Sequence, residues 1–158
     1  MDPDKPIAII ALNAALRTTP SNYPEPFARR MGKREKRVLG SLFGLKNFGV
    51  NLTTLLPGGE SALLHRHSKQ DEFVYVVSGT AILVTDQGEA ILTTGMCAGF
   101  PAAGLAHQLV NRSDEPMTYL EIGDRTSGDT AQYPVDDLQA ALTSEGTWAF
   151  THKDGRTY

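Results

Sequence analysis

From about residue 46 to residue 123, short runs of β-branched and aromatic residues are broken by turn residues at intervals of about 8 to 12 positions, the texture of a sandwich or barrel. The spacing predicts strands at about 47–56, 60–66, 72–77, 80–86, 89–93, 97–100, 106–111 and 117–123. Ser78-Gly79, Asp86-Gln87-Gly88 and Thr94-Gly95 supply the glycines that tight connections demand. No segment between these runs can hold a crossover helix, so the strands must pair mainly antiparallel, in an all-β small barrel or jelly roll. At 158 residues the chain has material for one core and not for two.

The flanks have a different texture. Residues 1–43 carry five of the nine prolines and a charge-dense run over 29–37, which predicts an N-terminal arm with a short helix beside the barrel of residues 44–123. Residues 124–158 begin with a loop of Gly, Ser and Asp and predict a short helix over 135–142 and an extended piece from Trp148 to Thr151. This C-terminal tail is expected to pack on the barrel or on a partner subunit. A formal net charge of -3 excludes a wholesale electrostatic grip on nucleic acid. The basic residues Arg29, Arg30, Lys33, Arg34, Lys36 and Arg37 accordingly read as a solvated helix face or as an arm over the protein's own barrel. The apolar stretch 7–16 is broken by Asn13 and follows an acidic start, so it fits neither a membrane span nor a signal peptide, and a cytoplasmic protein is expected. Cys97, the only cysteine, forms no intramolecular disulfide and is expected to pack on a core strand.

The chemistry is concentrated in few residues. His65 and His67 are two apart, a spacing that aims both imidazoles at one point from a strand and would separate them on a helix. A neighbouring antiparallel strand that starts at Glu72 can bring a carboxylate beside them, and His107 can complete the set from another strand. Three imidazoles and one carboxylate suit a divalent transition metal, Zn, Fe, Mn, Ni or Cu, and match poorly the all-oxygen shells of Ca and Mg. Arg66, between two inward histidines, should point outward. With Glu72 inward, Val74 and Val76 should line the interior and Phe73, Tyr75 and Val77 the outer face. A strand apolar on both faces needs cover on both, which predicts a homodimer to which arm or tail contributes.

The spacing Gly59, five residues, His65, one, His67, four, Glu72, six, Gly79 resembles the first motif of the cupin superfamily. Gly95, five residues, Pro101, then Gly104, two, His107, three, Asn111 resembles the second. Two positions depart from the usual pattern: Ala102-Ala103 stand where one residue is common, and Met96 where Asp commonly follows the glycine. Beyond the motifs, Tyr23-Pro24-Glu25-Pro26-Phe27, Phe48-Gly49-Val50-Asn51, Tyr119-Leu120-Glu121 and His152-Lys153-Asp154-Gly155 are similar to a bacterial group of single-domain cupins. Some of that group are described, by analogy only, as sugar-phosphate isomerases.

The resemblance implies the cupin jelly roll, or double-stranded β-helix, with one divalent metal (Zn, Fe, Mn or Ni) on His65, His67, Glu72 and His107, and commonly a homodimer. The resemblance implies no particular substrate; by analogy with that group, the leading reading is a metal-dependent small-molecule enzyme of the isomerase or epimerase type, acting on a sugar or hydroxy-carbonyl compound. The alternatives are a cupin dioxygenase and a non-catalytic cupin that binds a small ligand. Either chemistry needs a proton carrier beyond the ligands. Tyr119 and Glu121 are the catalytic candidates from the residues themselves, and Gln108, Lys69 and Arg112 the candidates for holding a substrate.

Overall fold

Two antiparallel sheets enclose the core and a third closes one end. The computed structural model describes residues 5–158; the acidic start, Met1 to Asp4, lies outside the described residues. In chain order the strands are β1 (Arg34–Val38), β2 (Phe48–Leu55), β3 (Arg66–His67), β4 (Glu72–Ser78), β5 (Thr80–Thr85) and β6 (Gly88–Thr93). They continue with β7 (Cys97–Phe100), β8 (His107–Val110), β9 (Met117–Asp124), β10 (Thr130–Gln132), β11 (Gln139–Leu142) and β12 (Trp148–Thr151). One sheet has the order β1-β2-β9-β4-β7, the second β6-β5-β8, and the third β12-β11-β10-β3. Every pairing is antiparallel, and the architecture is the expected all-β jelly roll.

The core lies between the first two sheets and follows the alternation of each strand. Leu55, Val74, Val76, Ala81, Leu92, Phe100, Leu109, Met117 and Tyr119 are buried together. On β9, Met117, Tyr119, Glu121 and Gly123 face inward and sit opposite Leu55, Thr53, Asn51 and Gly49 of β2. The polarity therefore rises along one row, from a dry base at Met117 and Leu55 to a polar mouth at Glu121. A second cluster, Met31, Leu63, Ala131, Tyr133, Leu138 and Ala140, packs with Tyr23, Phe27, Trp148 and Phe150, so arm and tail meet over the barrel of their own chain.

Four local expectations are corrected. Residues 135–142 hold no helix: Gln139–Leu142 is the strand β11, flanked on both sides by β10 and β12. An isolated helix of that length is marginal, whereas two waiting strands satisfy its backbone donors and acceptors. The basic run is divided between a 3-10 turn, Phe27–Lys33, and β1, an edge strand of the main sheet, so the barrel starts at Arg34 and the preceding residues form the arm. The run 60–66 is largely an extended loop that bridges to β8 at Glu60 and His65. Cys97 is exposed, because the alternation of β7 turns Ala98 and Phe100 inward. The stretch 7–16 is a surface segment with one 3-10 turn, Ala11–Asn13. Among the described residues no helix is long and apolar enough to cross a membrane.

Candidate metal centre

Three imidazoles, two from one extended segment and one from β8, converge on the Glu72 carboxylate. His65 Nε2 is 3.5 Å from Glu72 Oε2, His67 Nε2 3.7 Å and His107 Nε2 2.8 Å. His65, His67 and Glu72 offer ligand atoms within 4.8 Å of one another, the spacing of donors around one metal ion, and His107 joins them at the shared carboxylate oxygen. The strand logic explains the convergence. The extended segment through His65 and β3 throws both rings to one side, β4 starts at Glu72 on the inner face, and the backbones of His65 and His107 hydrogen-bond reciprocally (2.8 and 3.2 Å). Gly123 lies opposite Glu72, and a Cβ there would stand 3.6 Å from Glu72 Cγ.

The donor set fits a transition ion because the far nitrogen of each ring is already committed. His65 Nδ1 donates to the Leu63 carbonyl at 2.8 Å, His67 Nδ1 to Asp129 Oδ2 at 2.5 Å, and His107 Nδ1 lies 3.4 Å from the Leu105 carbonyl. A proton held on each Nδ1 would leave the Nε2 nitrogens, which here face the Glu72 carboxylate, to turn their lone pairs on an ion at the centre. Each ring is also braced by an aromatic neighbour. Phe100 lies flat on His107 with centroids 3.5 Å apart, Tyr133 stacks on His65 at 6.0 Å, and Trp148 meets His67 edge-on at 5.6 Å. Burial alone would raise the Glu72 pKa, but hydrogen bonds from His107 and His65 and the neighbouring imidazoles hold it well below the usual carboxylate range. Burial likewise pulls the His65 pKa down, and the Glu72 carboxylate outweighs it and raises it. Glu72 is thus ionised and anchored at neutral pH.

Asp129 was not singled out by sequence reasoning. It is completely buried in the loop ahead of β10, and besides His67 it accepts hydrogen bonds from Ser68 Oγ (3.0 Å) and the Lys69 backbone N–H (2.7 Å). These donors prevail over burial and lower its pKa. Its sequence signal was only an acid in a Gly- and Ser-rich loop, and nothing local says that such a loop folds back 62 residues onto His67. The departures in the second motif are also explained. The additional residue Ala103 adopts a left-handed conformation (φ 57°), and its N–H donates to the His67 carbonyl at 2.7 Å, while Ala102 N–H binds Asp71. Met96 is exposed, away from the centre.

Above these four side chains opens a cavity of about 360 Å³, at the lower end of small-molecule sites. Tyr119 and Glu121 both face it. Glu121 Oε1 accepts from Lys36 Nζ (2.8 Å) and Asn51 Nδ2 (3.1 Å), and Glu121 Oε2 accepts from the Tyr119 hydroxyl (3.3 Å). Lys36 overcomes the effect of burial and lowers the Glu121 pKa; burial and the charge of Glu121 push the Tyr119 hydroxyl well up, so Tyr119 stays a donor. Val74 separates Glu72 and Glu121 by one diagonal step of the β4–β9 ladder, about 7 Å between backbones.

The three substrate-binding candidates lie elsewhere. Arg112 pairs with Glu89 on the exposed surface at 2.7 Å, Gln108 is buried and donates to Glu60 and the Ala62 carbonyl, and Lys69 contributes its backbone to Asp129 outside the cavity wall. Gln108 follows His107 on β8 and so faces the other way; Lys69 and Arg112 are placed by turns whose direction the sequence does not encode. Arg66 points outward, as expected, onto Asp86.

Comparison with known proteins bears on this arrangement. Residues 51–123 match the family described as "Cupin domain". The chain is similar over 96% of its length, and 96% of the other's, to a solved structure from Silicibacter pomeroyi described as a sugar phosphate isomerase from a cupin superfamily, with 42% identity and a TM-score of 0.89. It is similar also to a provisional sugar phosphate isomerase from Acidithiobacillus ferrooxidans, at 30% identity, 79% and 80% coverage and a TM-score of 0.72. The polyketide cyclase RemF from Streptomyces resistomycificus shares the fold, at 20% identity, 74% and 78% coverage and a TM-score of 0.60. No curated protein matches the chain.

Proposed function

Since this chain belongs to the cupin superfamily, we propose that it is a metal-dependent enzyme of small molecules, an isomerase or epimerase acting on a sugar or related hydroxy-carbonyl compound. One divalent transition metal, Zn, Fe, Mn or Ni, would be held by His65, His67, Glu72 and His107. The observation that carries this reading is a proton-handling group beside the donor set that is not itself a ligand: Glu121, held by Lys36, Asn51 and Tyr119. A binding module has no need of it, and isomerisation depends on it. The description of the Silicibacter pomeroyi protein agrees in reaction class. A bound metal would supply a Lewis acid for a substrate carbonyl, which would acidify the neighbouring C–H. Glu121 takes the proton from that carbon and returns it on the same face to the adjacent carbon, while the hydroxyl proton passes to the former carbonyl oxygen. Lys36 and Tyr119 balance the carboxylate throughout and keep its oxygens aimed into the cavity. Tyr133, Trp148 and Phe150 wall the mouth with apolar surface, which limits water at the reacting carbon.

The test is α-proton exchange in deuterated water with the metal-loaded protein and a panel of hydroxy-ketones and aldoses, read by NMR. Wild type is expected to exchange the proton and Glu121→Gln to lose about 100-fold or more with unchanged metal content. No exchange across the panel with metal bound, or full exchange in Glu121→Gln, rejects the assignment.

The proposal extends to a homodimer. Phe73, Tyr75 and Val77 on the outer face of β4 remain 39%, 40% and 42% exposed, so among the described residues neither arm nor tail covers them, and a second copy is the cover proposed. Light scattering at micromolar concentration is expected to give twice the chain mass; a monomer mass, or a dimer unaffected by Tyr75→Glu, would remove this element. An exposed, unpaired Cys97 fits a reducing compartment and supports a cytoplasmic location.

A further inference from the structure

The basic run that crosses from the arm into β1 has an inner and an outer half. Arg34 and Lys36 lie opposite Leu55 and Thr53, the inward residues of β2, whereas Glu35 and Arg37 alternate outward and Arg37 binds the Ala14 carbonyl of the arm. Both inner cations line the metal cavity. The ammonium of Lys36 is matched by Glu121 at 2.8 Å. The other guanidinium groups near by divide in two: exposed Arg30 pairs with Glu60 and Asp136 and half-buried Arg66 with Asp86, whereas half-buried Arg17 and Arg37 have neutral acceptors alone. Arg34 belongs to the second kind and is the one on the inner face of β1. Among the described residues it forms no ion pair, and its one hydrogen bond goes to a neutral acceptor, the Ser61 carbonyl. Its charge acts on the hydroxyls of Tyr23 and Tyr119 and on the Glu121 carboxylate, which places it among the groups of the cavity and not at the rim.

A half-buried guanidinium without an anion is an expensive arrangement, retained most readily where an anion arrives from outside. The fork of Arg matches carboxylate and phosphate with two parallel N–H···O bonds, which an ammonium cannot reproduce. Arg17 and Arg125 also line the cavity and donate only to neutral acceptors, the Pro20 and Leu45 carbonyls and Asn22, so two further cations stand there against the one additional carboxylate of Asp124.

We propose that Arg34 binds a terminal oxyanion of the substrate, a carboxylate or phosphate, at the pole of the cavity remote from the metal ligands. The substrate class narrows to small hydroxy-carbonyl compounds that carry such a group. The assignment rests on the metal-site reading for the other end of the ligand.

The test uses the metal-loaded full chain and three ligands that share a free α-hydroxy acid as the chelating end: glycolate, malate and 3-phosphoglycerate, each titrated by calorimetry. Wild type is expected to prefer malate or 3-phosphoglycerate over glycolate by about tenfold or more. In Arg34→Gln, which keeps an N–H for the Ser61 carbonyl and loses the charge, the preference is expected to fall to within about twofold at unchanged metal content. Loss confined to 3-phosphoglycerate identifies phosphate as the group, and loss confined to malate identifies carboxylate. A preference retained in Arg34→Gln, or none in wild type, overturns the proposal. Should Arg34→Gln not fold, Arg34→Lys carries the test: a point charge without the fork is expected to lose about threefold or more of the preference, and an unchanged preference overturns it. If the protein takes up none of the candidate metals, the function proposed above fails separately. Titration with succinate and inorganic phosphate then decides Arg34 alone, since binding lost in Arg34→Gln supports it and equal or absent binding in both proteins overturns it.

Discussion

The His65→Ala, His107→Ala double variant is expected to retain no metal after dialysis, where wild type retains close to one equivalent by elemental mass spectrometry. Two of four donors disappear, and the remaining His67 and Glu72 form a site that hydrated ions outcompete, so affinity is expected to fall by at least about 1,000-fold. The loss extends beyond binding. Glu72 is kept ionised in its half-buried position by the two imidazoles that the variant removes, so the empty variant contains a poorly paired carboxylate and loses stability as well. In wild type, bound metal adds stability in proportion to the logarithm of its free concentration over Kd, and the melting temperature should rise on metal addition. That response should be missing in the double variant. Asp129→Asn provides the graded case. It leaves all four donors in place but weakens the carboxylate that orients His67, and a loss of about 10- to 100-fold in affinity is expected. His152→Ala, on the far hydrogen-bonded pair with Asp137, should change nothing. Stoichiometric metal in the double variant would mean that the ion resides elsewhere, and wild-type affinity in Asp129→Asn would deny the carboxylate its orienting role.

Gly79→Ala is expected to destabilise the fold by about 3 kcal/mol, the sum of about 1 kcal/mol for an alanine in the left-handed region and about 2 for overpacking. Gly79 turns β4 into β5 at φ 82°, and a Cβ there would stand 2.8 Å from Met117 Cβ, 2.9 Å from Met117 Cα and 2.9 Å from the Pro116 carbonyl oxygen. Two of these three neighbours are main-chain atoms and Met117 is fully buried, so nothing near can move aside. Gly95 is the control. It has almost the same backbone angle, φ 88°, but nothing lies within 4 Å of its missing Cβ, and Gly95→Ala should cost only the conformational share of about 1 kcal/mol. Urea denaturation at constant slope measures both, and equal losses would refute the close-approach explanation. For a domain whose whole stability is of the order of 5–15 kcal/mol, the Gly79 change is large.

The two results concern the features of the chain that were most legible beforehand. Period-two patterning set the faces of β4: Val74 and Val76 are buried and Phe73, Tyr75 and Val77 exposed, as alternation from Glu72 requires. The same rule aimed His65 and His67 together. It did not orient β9, because Leu120 and Ile122 are as apolar as a core face demands while Tyr119 and Glu121 could belong to either side. Pairing with β2 and β4 decided it and turned Glu121 toward the metal ligands. The error over 135–142 has the same origin. Leu138, Ala141 and Leu142 satisfy a helical period and Leu138 and Ala140 a strand period, and only the presence of β10 and β12 on both sides selects the strand.

Taken alone, the sequence determined the strand-rich architecture, the hairpin glycines and the grouping of His65, His67 and Glu72, since each depends on spacing along one or two successive strands, where geometry is local and periodic. Tertiary structure alone decided the rest of the site. Asp129 meets His67 across 62 residues, Lys36 meets Glu121 across 85, and the cations chosen at the mouth from sequence, Lys69 and Arg112, gave way to Arg34 on an edge strand. Side-chain direction is set by which strand pairs with which and in what register. That choice is made by the burial of all the inner faces at once, a global balance that no short window of residues contains.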